Sequence, residues 1–256
     1  MPLLLDAPTL EDILSTGAAI HEESECHVAV ETDKIRLRTQ AEDRTIYFEY
    51  SLPRSSPDVS GDAAPDSFWM KLDRINRFLR ATGDGKVRIT LPSETPDRTS
   101  IFELEQLTYQ APSLITKYGH RLPDVPVSDI ATTFSIRHGE FAQAITAANF
   151  IGGEVQLQIN PETSCIEFAA ADPGGDDFTY VVQPEQVKQI HDSATRLTIP
   201  INILRDLKQN IPPTTLVTIR ITPHYVQYTT TFPTTDSTLT LYIAERLGAI
   251  PDGKVP

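Results

Sequence analysis

The chain of 256 residues holds only two cysteines, Cys26 and Cys165, far apart and outside any metal-ligand spacing. A cysteine-bound metal cluster is thereby excluded. One disulfide stays open on arithmetic alone, but buried free thiols in a reducing cytoplasm are the expected state. Long hydrophobic runs are missing too, and no apolar stretch approaches the length needed to cross a bilayer. The opening Met1-Pro2-Leu3-Leu4-Leu5-Asp6 has no basic segment and only a brief apolar run, so neither a signal peptide nor a membrane anchor is expected.

Enzyme signatures are equally scarce. The six histidines, His21, His27, His120, His138, His191 and His224, form no H-x-x-H or H-E-x-x-H set. There is no G-x-S-x-G, no Walker loop and no G-x-G-x-x-G. Gly83-Asp84-Gly85 and Gly174-Gly175-Asp176-Asp177 read as hairpin turns rather than phosphate cradles. No catalytic residue, metal ligand or cofactor is predicted. Positive charge is the last shortage: 22 Lys and Arg face 35 Asp and Glu, a net charge of −13, and Arg outnumbers Lys 15 to 7. Such a chain does not coat nucleic acid through bulk charge. It can still carry a basic stripe where DNA passes. Acidity with little Lys fits a salty cytoplasm, where screening shortens the reach of surface charge. A GC-rich genome is the alternative explanation.

What is present is a pattern that runs twice. With 39% hydrophobic residues the chain can bury a real core. Leu10, Ile13 and Leu14 recur at helical spacing after Thr9, a candidate N-cap. Strand-like stretches follow at 27–30, 34–37 and 45–52, then a Pro/Ser/Gly/Asp-rich loop at 53–65. A second helix is predicted over 68–81 with Leu72, Ile75 and Leu79 inward, then strands at 86–91 and 100–109. After a proline-punctuated stretch at 111–129 the order restarts. A strand at 132–136 precedes a helix at 139–150, with Phe141, Ile145 and Ala148 inward. Strands at 155–159, 165–170 and 178–183 come next, then a helix at 200–210 and strands at 216–221, 225–232 and 238–244. Superimposing the halves sends Leu10 and Leu14 onto Phe141 and Ile145, and Leu72, Ile75 and Phe78 onto Ile201, Leu204 and Leu207. The expected fold class is α+β, two similar domains with two helices on one face of antiparallel sheet.

At this point the chain resembles the proliferating cell nuclear antigen family, the DNA sliding clamps of archaea and eukaryotes. The resemblance is carried by His138-Gly139-Glu140-Phe141-Ala142 through Ala148-Asn149-Phe150-Ile151-Gly152, where Gly-Glu-Phe opens a helix and Ile-Gly closes it. Glycine permits the entry turn, Glu suits a helix N-terminus and Phe plugs the core. Leu122-Pro123-Asp124-Val125-Pro126 is similar to the family's interdomain connector. Ile211-Pro212-Pro213-Thr214 is similar to its turn after the last helix, and Leu241-Tyr242-Ile243-Ala244-Glu245-Arg246-Leu247 to its tail. The source implied is a haloarchaeon or one of its viruses.

The resemblance implies a clamp domain at 1–113, a connector at 114–129 and a second clamp domain at 130–256. It implies a homotrimeric ring in which sheets form the scaffold and helices line the hole. An edge strand with Ile101, Glu103, Glu105 and Leu107 is expected to pair with Phe178, Tyr180 and Val182 of the next subunit. Lys71, Arg74, Arg77 and Arg80, with Arg205 and Lys208 on the last helix, are expected to face double-stranded DNA without reading its sequence. Leu114, Leu122, Pro223, Tyr242, Ile243 and Ala244 are expected to wall a pocket for partner peptides. The partners implied are DNA polymerase, a clamp loader and other proteins with clamp-binding peptides, in the cytoplasm at the nucleoid (a host's, if the source is viral), with no membrane.

Departures from the family accompany these expectations. Glu11 and Asp12 stand where basic residues are usual, Thr146 and Asn149 do likewise on the third helix, and Glu245 replaces a proline. The loop Thr39-Gln40-Ala41-Glu42-Asp43 lacks the family's aspartate at Ala41. They motivate an alternative: a diverged clamp paralogue, monomeric or in a mixed ring, that regulates another clamp. An enzyme and a generic acidic, β-rich interaction protein are the other readings weighed.

Overall fold

The computed structural model describes residues 2–18, 25–41, 45–82, 84–114, 132–152, 154–160, 162–163, 165–171, 174–190, 196–200, 211–222 and 224–244. The chain divides into two compact units, 1–124 with 230–241, and 125–229 with 242–256.

In the first unit, β1 (Leu3–Asp6) leads directly into α1 (Ala7–Ala18). Three antiparallel strands follow, β2 (Glu25–Val30), β3 (Lys34–Gln40) and β4 (Ile46–Pro53). Then come β5 (Val59–Ser60), β6 (Asp66–Lys71), α2 (Leu72–Thr82), β7 (Lys86–Thr90), β8 (Thr99–Leu104) and β9 (Leu107–Pro112). One sheet has the order β5-β1-β7-β8-β9, and β6-β2-β3-β4 runs through a second. Alternation of burial along β3, with Ile35, Leu37 and Thr39 in and their neighbours half-exposed, is the period-2 signature of a sheet with one covered face. The two helices cover that core side by side, Leu10, Ile13 and Leu14 from α1 and Leu72, Ile75 and Leu79 from α2 all being buried. They approach closely because Gly17 has no side chain; a Cβ there would stand 3.1 Å from Leu72 Cδ1.

The second unit repeats this plan. The elements that follow in the chain are β10 (Thr132–Arg137), α3 (His138–Ile151), β11 (Glu154–Asn160), β12 (Cys165–Ala171), β13 (Asp177–Val182), β14 (Val187–Ile190), β15 (Arg196–Pro200), β16 (Leu216–Ile221), β17 (Tyr225–Phe232) and β18 (Ser237–Ala244), of which the stretch 230–241 belongs to the first unit. The pairings repeat as well as the order. β1 pairs with β5 and β7 as β10 pairs with β14 and β16. β2 pairs with β3 and β6 as β11 pairs with β12 and β15. β3 joins β4 as β12 joins β13. The α+β class and the internal repeat read from the pattern are therefore present in the hydrogen-bond ladders themselves.

Several expectations are corrected. The predicted helix at 68–81 begins only at Leu72. Phe68 and Met70 are buried while Trp69 and Lys71 are not, and 66–71 ladders against β2 as strand β6. Apolar residues flanking a helix start fit both periods over so short a run. Thr9 is not an N-cap; α1 starts at Ala7 and the Thr9 hydroxyl donates to Asp58 Oδ2 at 2.6 Å. The 53–65 segment contains β5, and the 100–109 run is two strands joined through Glu105, whose φ of 51° makes the turn. Gly83-Asp84-Gly85 joins α2 to β7 rather than closing a hairpin, whereas 174–176 does join the antiparallel β12 and β13. Pro200 ends β15, and the helix predicted beyond it, 201–210, lies outside the described residues.

Candidate functional site

The second unit shows why the sequence around Gly139 is constrained. Glu140 occupies the third position of α3, and its carboxylate accepts the Arg137 backbone N–H at 3.1 Å. One orphan donor of the helix start is thereby satisfied and a negative charge meets the helix dipole. His138 and Gly139 donate their N–H groups to Thr215 and Pro213 carbonyls, both at 2.8 Å. Phe141 is buried, with ring centroids 5.3 Å from Tyr228 and 6.0 Å from Phe168. The outward positions of α3, Gln143, Thr146, Asn149 and Phe150, are exposed and uncharged, Phe150 by 88%.

The first unit carries the cations. Arg74, Arg77 and Arg80 stand three residues apart on α2, all exposed, opposite the buried stripe. Lys71 does not share their arc; it is the last residue of β6, opposite Glu25 of β2. Among the described residues Arg74 and Arg77 make no ion pair, while Arg80 Nε lies 3.2 Å from Glu11 Oε1 of α1. The neighbouring Asp12 holds its proton above the ordinary carboxylate range, first through partial burial and then through the Glu11 charge. Arg205 and Lys208 lie outside the described residues.

Strand edges form the second feature. Among the described residues β9 ends its sheet without a further partner, and β13 does the same in the sheet ordered β13-β12-β11-β15. Leu107 on β9 and Val181 on β13 are exposed large hydrophobics, at 48% and 36%. The expected edge residues split on this geometry. Ile101 and Glu103 lie on β8, which is paired on both sides by β7 and β9, so they are not on the edge; Glu103 instead meets Arg88 at 3.6 Å. Glu105 is in the turn and Leu107 on the edge itself. Phe178 and Tyr180 are half-buried, and Val182 is fully buried. These three, expected from the resemblance, lie on β13 itself, and the more exposed residues of the same strand are Asp177, Thr179 and Val181. Phe78 of α2 stacks on Tyr109 of β9 at 5.8 Å, so the helix with the cations also supports the open edge.

Of the pocket residues, Leu114 is half-buried in the first unit and donates its N–H to Trp69 O at 3.0 Å. In the second unit Tyr242 packs edge-on to Tyr225 at 5.8 Å, Ile243 is fully buried and Ala244 half-buried. Leu122 and Pro223 lie outside the described residues. Ala41, at the loop where an aspartate is missing, is buried and donates its N–H to Ile46 O. Among the described residues no group of three His, Cys, Asp or Glu is arranged to hold a metal ion, and no helix is long and apolar enough to cross a membrane.

No family model matches the chain. It is 22% identical over 180 residues to the DNA polymerase sliding clamp of Natronomonas pharaonis, across 70% of this chain and 72% of that protein. Among solved structures, the complex of the C-terminal region of FEN-1 with A. fulgidus PCNA matches with a TM-score of 0.82 at 15% identity, covering 97% of this chain and 100% of that one. PCNA of Thermococcus kodakaraensis matches at 0.77 and 14%, covering 95% and 100%. The PCNA2–PCNA3 complex of Sulfolobus tokodaii matches at 0.76 and 12%, covering 96% and 99%. These likenesses show the fold.

Proposed function

We propose that this chain, which belongs to the DNA sliding-clamp family, closes with copies of itself into a ring around duplex DNA and tethers DNA polymerases and other replication proteins to it. The observation that carries the reading is that β9 and β13, among the strands that end a sheet in the described residues, are counterparts in the internal repeat of two strands that lie side by side. In the first unit, which includes 230–241, β4 does not end its sheet, because β18 lies beside it. By the internal repeat β13 corresponds to β4, and β9 corresponds to β18. The β4–β18 neighbourhood thus has an unmade counterpart, β13 with β9, and a single chain cannot make it twice. A second copy supplies it, head to tail, and such contacts close into a ring when the rotation allows. Pairing would cover Leu107 and Val181 and remove two exposed edges per contact, edges that otherwise invite pairing with other chains.

A ring acts as a tether by topology, with no chemical step. Its contacts with DNA have to be loose and confined to phosphates, which suits Arg74, Arg77 and Arg80 with Arg205 and Lys208. For docking, the resemblance points to Leu114, Leu122, Pro223, Tyr242, Ile243 and Ala244 as hydrophobic contacts for short peptides of polymerase, clamp loader and processing enzymes. The complexed clamp of A. fulgidus, which binds the C-terminal region of FEN-1, supports this part of the reading. One observation favours a second reading, a monomeric or mixed-ring paralogue that regulates another clamp: Glu11 occupies Arg80, weakening the cationic face.

Retention on DNA tests the proposal. Protein loaded on nicked circular DNA should stay through gel filtration and be lost after the circle is cut at one site. Equal retention on circular and linear DNA would contradict encirclement.

A further inference from the structure

Arg80 and Glu11 form the one ion pair on the cationic face among the described residues, and its geometry carries a consequence for how that face holds DNA. The pair joins two helices held at close approach by Gly17 and Leu72. Both partners are open to solvent, Arg80 by 64% and Glu11 by 37%. Such a surface pair is worth only about 0.2–1 kcal/mol, so it does not exist for stability. A duplex phosphate and the Glu11 carboxylate are both anionic oxygen acceptors that the same guanidinium can bind.

We infer that Glu11 is an internal competitor for the phosphates that Arg80 would otherwise bind, and so a determinant of how loosely this face grips duplex DNA. The inference rests on the DNA-encircling reading above. The carboxylate acts twice: it occupies Arg80, and its charge repels the incoming backbone. The two neighbouring cations, Arg74 and Arg77, are left to make the contact. Because ion pair and phosphate contact are both screened, the effect of Glu11 is largest at low salt and fades as the Debye length shortens. A tether that has to slide gains from this arrangement, since each fixed phosphate contact adds a step to be broken.

The test is the affinity of the full chain for a short fluorescent duplex, measured by anisotropy across a potassium chloride series. Glu11→Gln should tighten binding several-fold at low salt and steepen the logarithmic salt dependence by about 0.9 per phosphate gained. Arg80→Ala should have little effect alone yet abolish the gain in the double variant. Arg77→Ala should weaken binding in either background. If Glu11→Gln changes nothing while Arg77→Ala weakens binding, the inference is overturned and the DNA reading stands. A gain from Glu11→Gln that survives Arg80→Ala also overturns it, because the effect would then be general charge. If Glu11→Gln and Arg77→Ala are both silent, the inference and the DNA reading fall together.

Discussion

The backbone N–H of Gly139 donates to the carbonyl of Pro213 at 2.8 Å, and a Cβ on Gly139 would stand 3.1 Å from both that oxygen and the Pro213 Cβ. Two sequence stretches more than seventy residues apart are thus one contact at the start of α3. Gly139→Val, which adds a branched side chain against a fixed carbonyl, should destabilise the fold by about 1–3 kcal/mol, the range of overpacking. Urea unfolding of the purified variant measures it; an unchanged midpoint would mean that the turn yields freely.

Tyr228 and His138 share a buried hydrogen bond of 2.9 Å, with the phenol oxygen against Nδ1. Burial holds the phenol far above its ordinary pKa, so it keeps its proton throughout the accessible range. Tyr228→Phe preserves the ring contact with Phe141 but strips that partner from a buried imidazole nitrogen. The expected loss is about 1–3 kcal/mol, read by the same unfolding series. Stability equal to the parent would show that the bond contributes nothing.

His27 gives the fold a defined acid response. It lies opposite Arg38 and Trp69 on neighbouring strands, with Arg38 Nη2 3.2 Å from its Nδ1. Burial, then the Arg38 and Arg36 charges, hold the imidazole down at about 4, against 6.5 for an unperturbed ring. The folded value is the lower one, so the unfolded chain takes up the proton first. This contribution to stability is complete above pH 6.5, declines as pH falls toward 4, and is flat below. His27→Gln should flatten the unfolding midpoint across that window. The same slope in the variant would assign the response to carboxylates.

Tyr242, edge-on to Tyr225, tests the docking surface. A peptide with a glutamine, a hydrophobic residue and paired aromatics should bind, and Tyr242→Ala should weaken it by about tenfold or more, the scale of an aromatic anchor. Isothermal titration separates this from unfolding when circular dichroism is unchanged. Full affinity in the variant would place docking elsewhere.

The pattern of the sequence carried more of the fold than of the site. Phe141, Ile145 and Ala148, or Leu72, Ile75 and Leu79, face a core, and spacing alone reveals a core face. The repeat was legible for the same reason, because each half has to bury equivalent faces. What escaped was local and relational. Phe68 to Lys71 fits a helix or a strand until β2 is there to pair with it. The open edge is β9 rather than β8 because Glu105 turns the chain, and nothing in a run of alternating residues marks that turn strongly. Glu11 was visible as a departure, but its partner Arg80 is 69 residues away and only the packing of α1 on α2 brings them together. Pairwise electrostatics is a property of the folded surface, not of composition.

The claim that β9 and β13 complete each other between copies is tested most directly by solution mass, from light scattering after size exclusion at low salt and at about molar potassium chloride, where surface charge is screened within a few ångströms. The account predicts a mass near three times the 28.4 kDa chain, falling to a single chain when Val181 and Leu107 are both replaced by Glu. A parent protein that runs as a single chain in both buffers at micromolar concentration would contradict an autonomous ring.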